Sequence, residues 1–432
     1  MKYKAIDSSL FIRNRQKITS KLKKDSLVIL VSNDEMPRSG DQFFPFRQNP
    51  SLFYLTGIDQ EETMLVLCPN HPLNSMREIL FLKKTNEHIA IWNGHKYTKE
   101  EGTTISGITN VKWNDEFWNV VRELMIYSKN TYLNLPENAR FATPVITQEK
   151  RFADTLMNEF PLHKYRRFAP IIDSIRVVKD IIEIELMKKA CKITASAFQK
   201  AVSVIKPGAM EYEVEAEIIA EITRKGGNGH SFSPIVAGGK NTCVLHYIEN
   251  DKELKDGDLV LMDFGAEYAH YAGDLSRTVP VNGKFSSRQK EVYQACLNVY
   301  TEAKKMFIPG NTINKLHAEV CQVMEKELIK IGLFTQTDVD NQNPENPLYK
   351  KYFMHGTSHF IGIDVHDVGT KDMPFQKGMV LSCEPGIYIP EENIGIRIET
   401  DMLVDINPID LMKDVPVEIE DLENLFIKKR AL

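Results

Sequence analysis

Cysteine is scarce and unpatterned in this sequence: Cys68, Cys191, Cys243, Cys296, Cys321 and Cys383 are the only six, and no two form a CxxC pair. That excludes a disulfide frame or a thiolate zinc site as the organising device and fits reduced thiols in a cytosolic enzyme. Long apolar runs are missing as well. None approaches the roughly 20 residues that a bilayer-spanning helix needs, and the opening stretch MKYKAIDSSLFIRNRQK lacks the apolar core of a signal peptide. A cytoplasmic protein with no membrane partner is expected. Positive charge is not in excess either. The 54 Lys and Arg against 59 Asp and Glu leave a net charge of −5, which offers no footprint for nucleic acid. Neither HExxH nor GxSxG occurs, and AGGKN (237–241) lacks the earlier glycine and the hydroxyl residue after lysine that a phosphate loop requires.

What is present is length and apolar content for two cores, 432 residues at 42% hydrophobic. The first third alternates strand-like runs (26–32, 63–68, 78–84 and 88–92) with helical spacing at 115–127 and reads as a small α/β domain. A long amphipathic pattern follows, with Ile182, Leu186, Ala190, Ile193, Ala197, Ala201 and Val204 at steps of three and four, closed by Pro207-Gly208. The expected domains are therefore 1–171 and 172–432.

The second region echoes itself. IKPGAMEYEVEAEI (205–218) is matched by FIPGNTINKLHAEV (307–320), and DGDLVLMDFG (256–265) by KGMVLSCEPG (377–386). In the second pair a turn glycine is followed by an apolar strand, an acid six residues after that glycine, and another glycine two further on. Asp263 and Glu384 thus hold equivalent places in two half-domains, which a pseudo-twofold would bring together in one sheet. Each is followed by a second acid, Asp274 and Glu399. An acid ending a buried apolar strand is costly unless paired, hydrogen-bonded or bound to metal. Alternation in IGIRIET places Ile394, Ile396 and Ile398 on one face and Arg397 with Glu399 on the other, so Arg397 can hold a neighbouring carboxylate.

Three histidines crowd the stretch HGTSHFIGIDVH, His355 to His366, in a chain with only 11. Four acids with one histidine form an oxygen-rich set suited to Mn²⁺, Co²⁺ or a tolerant Zn²⁺ pair. Two ions sharing bridging carboxylates polarise a carbonyl and activate water, which is hydrolase chemistry.

These residues resemble the pita-bread metallopeptidases, and among them the aminopeptidase P enzymes. The resemblance is carried, in the family's order, by LHYIEND, DGDLVLMDFGAEYAHYAGDLSRTVPVNGKF, HGTSHFIGIDVHDVG, LSCEPGIYIP and GIRIETDMLV. RSGDQFFPFRQNPSLFYLTG (38–57) resembles the family's N-terminal domain. The resemblance implies an α/β architecture, a mixed N-terminal domain plus a pseudo-twofold pita-bread domain. It also implies a metal-dependent exopeptidase releasing the residue before proline. Its metal ligands would be Asp263, Asp274, His359, Glu384 and Glu399, holding two divalent ions, manganese foremost and cobalt or zinc as alternatives, with Asp274 and Glu399 as bridges. His246, His355 and His366 would position the peptide, Arg397 would orient a bridging carboxylate, and Glu384 would also carry a proton to the leaving nitrogen. Tyr388 is a further expected wall of the proline pocket. Trp92 reads as a half-buried strand aromatic, or, as in similar enzymes, a residue reaching a neighbouring subunit of a homo-oligomer (dimer or tetramer). The alternatives are a prolidase confined to Xaa-Pro dipeptides and a binding module of the same fold without catalysis; five filled ligand positions weigh against the latter.

Overall fold

The computed structural model describes residues 3–138 and 143–430. It divides into two compact units, Lys4–Arg176 and a second that begins at Val177 and includes Tyr3. The division falls at the end of the helix Ala169–Arg176, which a boundary at 171/172 would cut.

In the first unit the fully buried strand Ser26–Val31 lies between Met64–Leu67, antiparallel, and Asn130–Leu133, parallel. Glu78–Leu82 and Val111–Trp113 extend one edge of this mixed sheet and Lys164–Arg167 the other. Such near-continuous apolar strands require cover on both faces. Leu27, Ile29, Phe81, Phe117, Val121, Leu124 and Leu156 form one of the resulting cores, where sheet and helices meet. The expected helix at 115–127 is a 3₁₀ turn followed by Phe117–Tyr127. The run 88–92 is not a strand. It lies in the helix Glu87–Asn93, started by the Asn86 side chain, which accepts from the Ile89 N–H, and ended by Gly94. No residue of that helix is buried, so the apolar alternation lines no core face.

The second unit opens with the helix Ile181–Val204, capped reciprocally by Asp180 and Glu183, and continues with Glu211–Arg224 packed on it. Leu259–Phe264 pairs antiparallel with Ile235–Gly238 on one side and Leu275–Pro280 on the other. In the second half Val380–Cys383 pairs with Thr400–Leu403, and Gly386–Ile389 with Ile394–Arg397. The two halves therefore meet as separate short ladders, not as the single sheet the echo suggested. Alternation sorts most residues of these strands. Val236, Val260, Met262, Leu275, Val279, Leu381, Cys383, Ile387, Ile394, Ile396 and Met402 enter the main core under the helices. The opposite faces carry Asp263, Ser276, Thr278, Ser382, Asp401, Tyr388 and Arg397.

One buried ion pair ties the start of this unit to the histidine-bearing loop. Lys179 Nζ lies 2.9 Å from Asp367 Oδ2, each side chain 1% exposed. A Cβ on Gly362 would lie 2.0 Å from that same oxygen, so the pair requires glycine there. Glu183 is buried beside it and accepts from the Tyr271 hydroxyl at 3.0 Å; burial pushes its carboxyl up to about 7. Removing one partner of such a pair strands the other charge. Lys179→Met is expected to cost about 3–5 kcal/mol in urea unfolding, and Lys179→Met/Asp367→Leu to recover most of it. A single-variant loss below about 1 kcal/mol, the range of exposed pairs, contradicts this account.

Candidate metal centre

The polar faces of the two halves converge on a cluster of acids. Asp263 lies near the end of its strand, opposite Ser276 in register. Asp274 and Glu399 stand immediately before the strands Leu275–Pro280 and Thr400–Leu403, and Glu384 follows Val380–Cys383. His359 is carried by the loop that runs alongside that last strand: its N–H donates to Ser382 Oγ at 2.9 Å and its carbonyl accepts from the Ser382 N–H. One ligand atom each from Asp274, His359 and Glu399 lie within 4.8 Å of one another. His359 Nε2 is 3.4 Å from Asp274 Oδ2 and 3.6 Å from Glu384 Oε1.

The donor set fits a cation. His359 Nδ1 sits 3.1 Å from the Phe360 carbonyl, which can only accept, so Nδ1 carries a proton and Nε2 is the ring nitrogen turned to the carboxylate oxygens. A cation seated among these oxygens would offset their mutual repulsion. Asp263 Oδ1 is buried without a hydrogen-bond partner. Burial, then Asp263, Asp401 and Glu384, push Asp274 well above the usual carboxylate range. For Glu399 burial acts with Asp274, Glu384 and Asp263 in the same direction. Asp263 is raised by burial too, opposed by Arg397, whose Nη2 donates to Asp263 Oδ2 at 2.5 Å.

Arg397 is the hub of the surrounding polar groups. Its Nε donates to Ser276 Oγ at 2.8 Å, and that hydroxyl donates to Glu399 Oε2 at 2.6 Å. Its Nη1 donates to the Tyr388 hydroxyl at 2.9 Å, leaving that hydroxyl to donate to His355 Nε2, also at 2.9 Å. His355 Nδ1 then donates to the Gly356 carbonyl at 2.8 Å, so both its ring nitrogens are engaged, and burial lowers its pKa. Tyr388, expected as a pocket wall, is instead fully buried; its influence passes through His355 and Arg397. The His366 ring stands perpendicular to that of His359, centroids 4.5 Å apart, on an exposed residue. His246 is exposed and within electrostatic reach of His355. Trp92 belongs to the other unit and is 77% exposed on its helix, not half-buried in a strand.

Four contributors went unread in the sequence. Ser276 holds Glu399, Ser382 holds Glu384 at 3.3 Å, Arg277 Nη1 donates to the Glu399 carbonyl at 2.6 Å, and Asp401 Oδ2 accepts from the Asp274 N–H at 3.3 Å. The echo contained a signal for two of them. Ser276 follows Asp274 by two residues as Asp401 follows Glu399, and each reaches across to the acid of the other half.

The profile described as metallopeptidase family M24 matches residues 185–405, and that of the aminopeptidase P N-terminal domain matches 11–133. The chain is 36% identical to the Xaa-Pro aminopeptidase of Haemophilus influenzae over 96% of both proteins. It superposes on Pseudomonas aeruginosa aminopeptidase PepP with a TM-score of 0.91 at 29% identity, covering 99% of this chain and 100% of that one. On zinc-substituted Escherichia coli aminopeptidase P in complex with product the TM-score is 0.89 at 30% identity, covering 99% and 100%.

Crowded buried acids should make cation binding visible as stability. At a hundredfold excess over Kd, Mn²⁺ is expected to stabilise the wild-type chain by about 2.7 kcal/mol. Asp274→Asn removes one of the crowded acids, so without metal it should unfold no earlier than wild type, and with metal it should gain little. Equal Mn²⁺ stabilisation of Asp274→Asn and wild type in thermal melts would contradict this reading of the cluster.

Proposed function

The chain belongs to metallopeptidase family M24 and carries an aminopeptidase P N-terminal domain, and on that footing we propose that it releases the N-terminal residue from peptides whose second residue is proline. The observation that carries the reading is the convergence of Asp274, His359 and Glu399 within 4.8 Å on a chain that is 36% identical to a Xaa-Pro aminopeptidase over 96% of its length. Asp263, Asp274, His359, Glu384 and Glu399 would hold two divalent ions. The oxygen-rich set favours manganese and also admits cobalt or zinc, as the zinc-substituted relative illustrates for itself. When bound, such ions polarise the scissile carbonyl and activate water.

The chain's own groups supply the rest. A bond to proline is a tertiary amide with no N–H, and its nitrogen must be protonated to leave. Glu384, the most exposed of the four acids at its side chain, is placed to carry that proton, while Ser382 Oγ orients its Oε1. The substrate's free α-ammonium finds an acceptor in Asp263 Oδ1, which restricts cleavage to the first bond. Arg397 keeps Asp263 and, through Ser276, Glu399 in place. His246, within electrostatic reach of His355, and His366, whose ring stands beside that of His359, are both exposed and would contact the peptide, and His355, with both nitrogens engaged, would serve as a fixed wall rather than a proton carrier. Six free thiols support a cytoplasmic setting. The exposed pair Ile91 and Trp92 supports self-association, with Trp92 offered to a second subunit.

With added Mn²⁺, Ala-Pro-Ala should be cleaved after the first alanine, Ala-Ala-Ala far more slowly, and the N-acetylated peptide not at all. Cleavage restricted to dipeptides would make the enzyme a prolidase, and a chain that retains no stoichiometric metal and cleaves none of these peptides would be a binding module. His366→Ala should retain metal and lose turnover by about 10²-fold. Loss of metal in that variant would place His366 among the ligands.

A further inference from the structure

His246 sits on an exposed segment, yet the residue after it is fixed from two directions. Tyr247 is buried in a small apolar cluster with Ile235, Ala237, Leu261 and Tyr388. Ile235 pairs with Asp263 in register and Ala237 with Leu261, so this cluster lies on the sheet face that presents Asp263. The Tyr247 hydroxyl donates to Glu211 Oε2 at 2.7 Å. Glu211, the first residue of its helix, is fully buried, and its other acceptor sites are filled by the N–H groups of Lys252, at 3.0 Å, and Gly238, at 2.7 Å. A Cβ on Gly238 would meet Leu254 Cδ2 at 2.7 Å and Glu211 Oε1 at 3.2 Å, so any side chain there would have to displace Leu254 and crowd the carboxylate. A single carboxylate thereby gathers the end of the Ile235–Gly238 strand, the phenol after His246 and the far end of the same loop. Burial, then the hydrogen bond to Glu211, push the Tyr247 phenol well above its ordinary pKa, so it remains a donor.

We propose that Glu211 and Tyr247 are positioning residues for His246: the buried carboxylate, through the phenol, holds the loop so that the His246 ring faces the substrate beside His355. The proposal rests on the reading of His246 as a substrate-contacting group. It differs from a general structural role in one respect. If Tyr247 acts through His246, its hydroxyl should matter only while His246 is present.

Tyr247→Phe removes the donor and keeps the apolar packing, and Ala-Pro-Ala with saturating Mn²⁺ is the probe. Turnover in Tyr247→Phe should fall about tenfold with KM changed less than about threefold, since displacement of a transition-state group lowers kcat more than binding. Metal content should be that of wild type. The double variant His246→Ala/Tyr247→Phe should be no slower than His246→Ala alone. Multiplicative losses in the double variant, wild-type turnover in Tyr247→Phe, or loss of metal each overturns the proposal. If His246→Ala alone turns over at the wild-type rate, the reading of His246 has failed instead. Glu211→Gln must also show a kcat loss that disappears in the His246→Ala background. Should Tyr247→Phe not fold, that cycle decides the matter by itself.

Discussion

Like charges facing one another in the interior set the terms for the rest of this structure. Asp263, Asp274, Glu384 and Glu399 converge from two half-domains, and burial together with mutual repulsion drives Asp274 and Glu399 far from their ordinary ionisation. Such an arrangement is unfavourable for folding on its own. Arg397 neutralises part of it from behind, through Asp263 directly and Glu399 by way of Ser276. A cation in front would offset the rest, where His359 Nε2 faces the carboxylates and Asp263 Oδ1 has no hydrogen-bond partner. In this sense the family's metal dependence is a consequence of the electrostatics of the fold.

The supporting groups lie along alternating strand faces. Residues of one parity in each strand fill the main core, and residues of the other parity build the site. A one-residue slip in any of these strands would exchange the two sets. The packing of Ile394 and Ile396 under the helices is therefore what aims Arg397, and Leu381 and Cys383 do the same for Ser382 and Glu384. Stability and chemistry share the same register.

Much of this was legible from local pattern. The echo of turn glycine, apolar strand and acid is a short-range feature, and it singled out Asp263 and Glu384 because a buried acid after such a strand is anomalous. Arg397 followed from strand alternation. Spacing alone did not separate the three histidines, because their difference lies in partners far away in sequence: Tyr388 occupies His355, the Ser382 contacts fix His359, and His366 is left exposed. The misreadings have physical causes as well. An aromatic ring such as that of Tyr388 suits a proline pocket, whereas its hydroxyl is claimed by Arg397 and His355 and its ring is buried. The run 88–92 alternates like a strand, but Asn86 and Gly94 supply a helix start and stop. Glu211 gave no sign, since its partners lie 27 to 41 residues away.

The central claim is that five side chains from two half-domains form one binuclear cation site on which turnover depends. The most direct measurement is elemental analysis of the chain after equilibrium dialysis against a Mn²⁺ series, with activity read on the same samples. The account predicts two ions per chain at saturation, and full activity only as the second equivalent is filled. Full activity at one ion per chain, or at none, would contradict it.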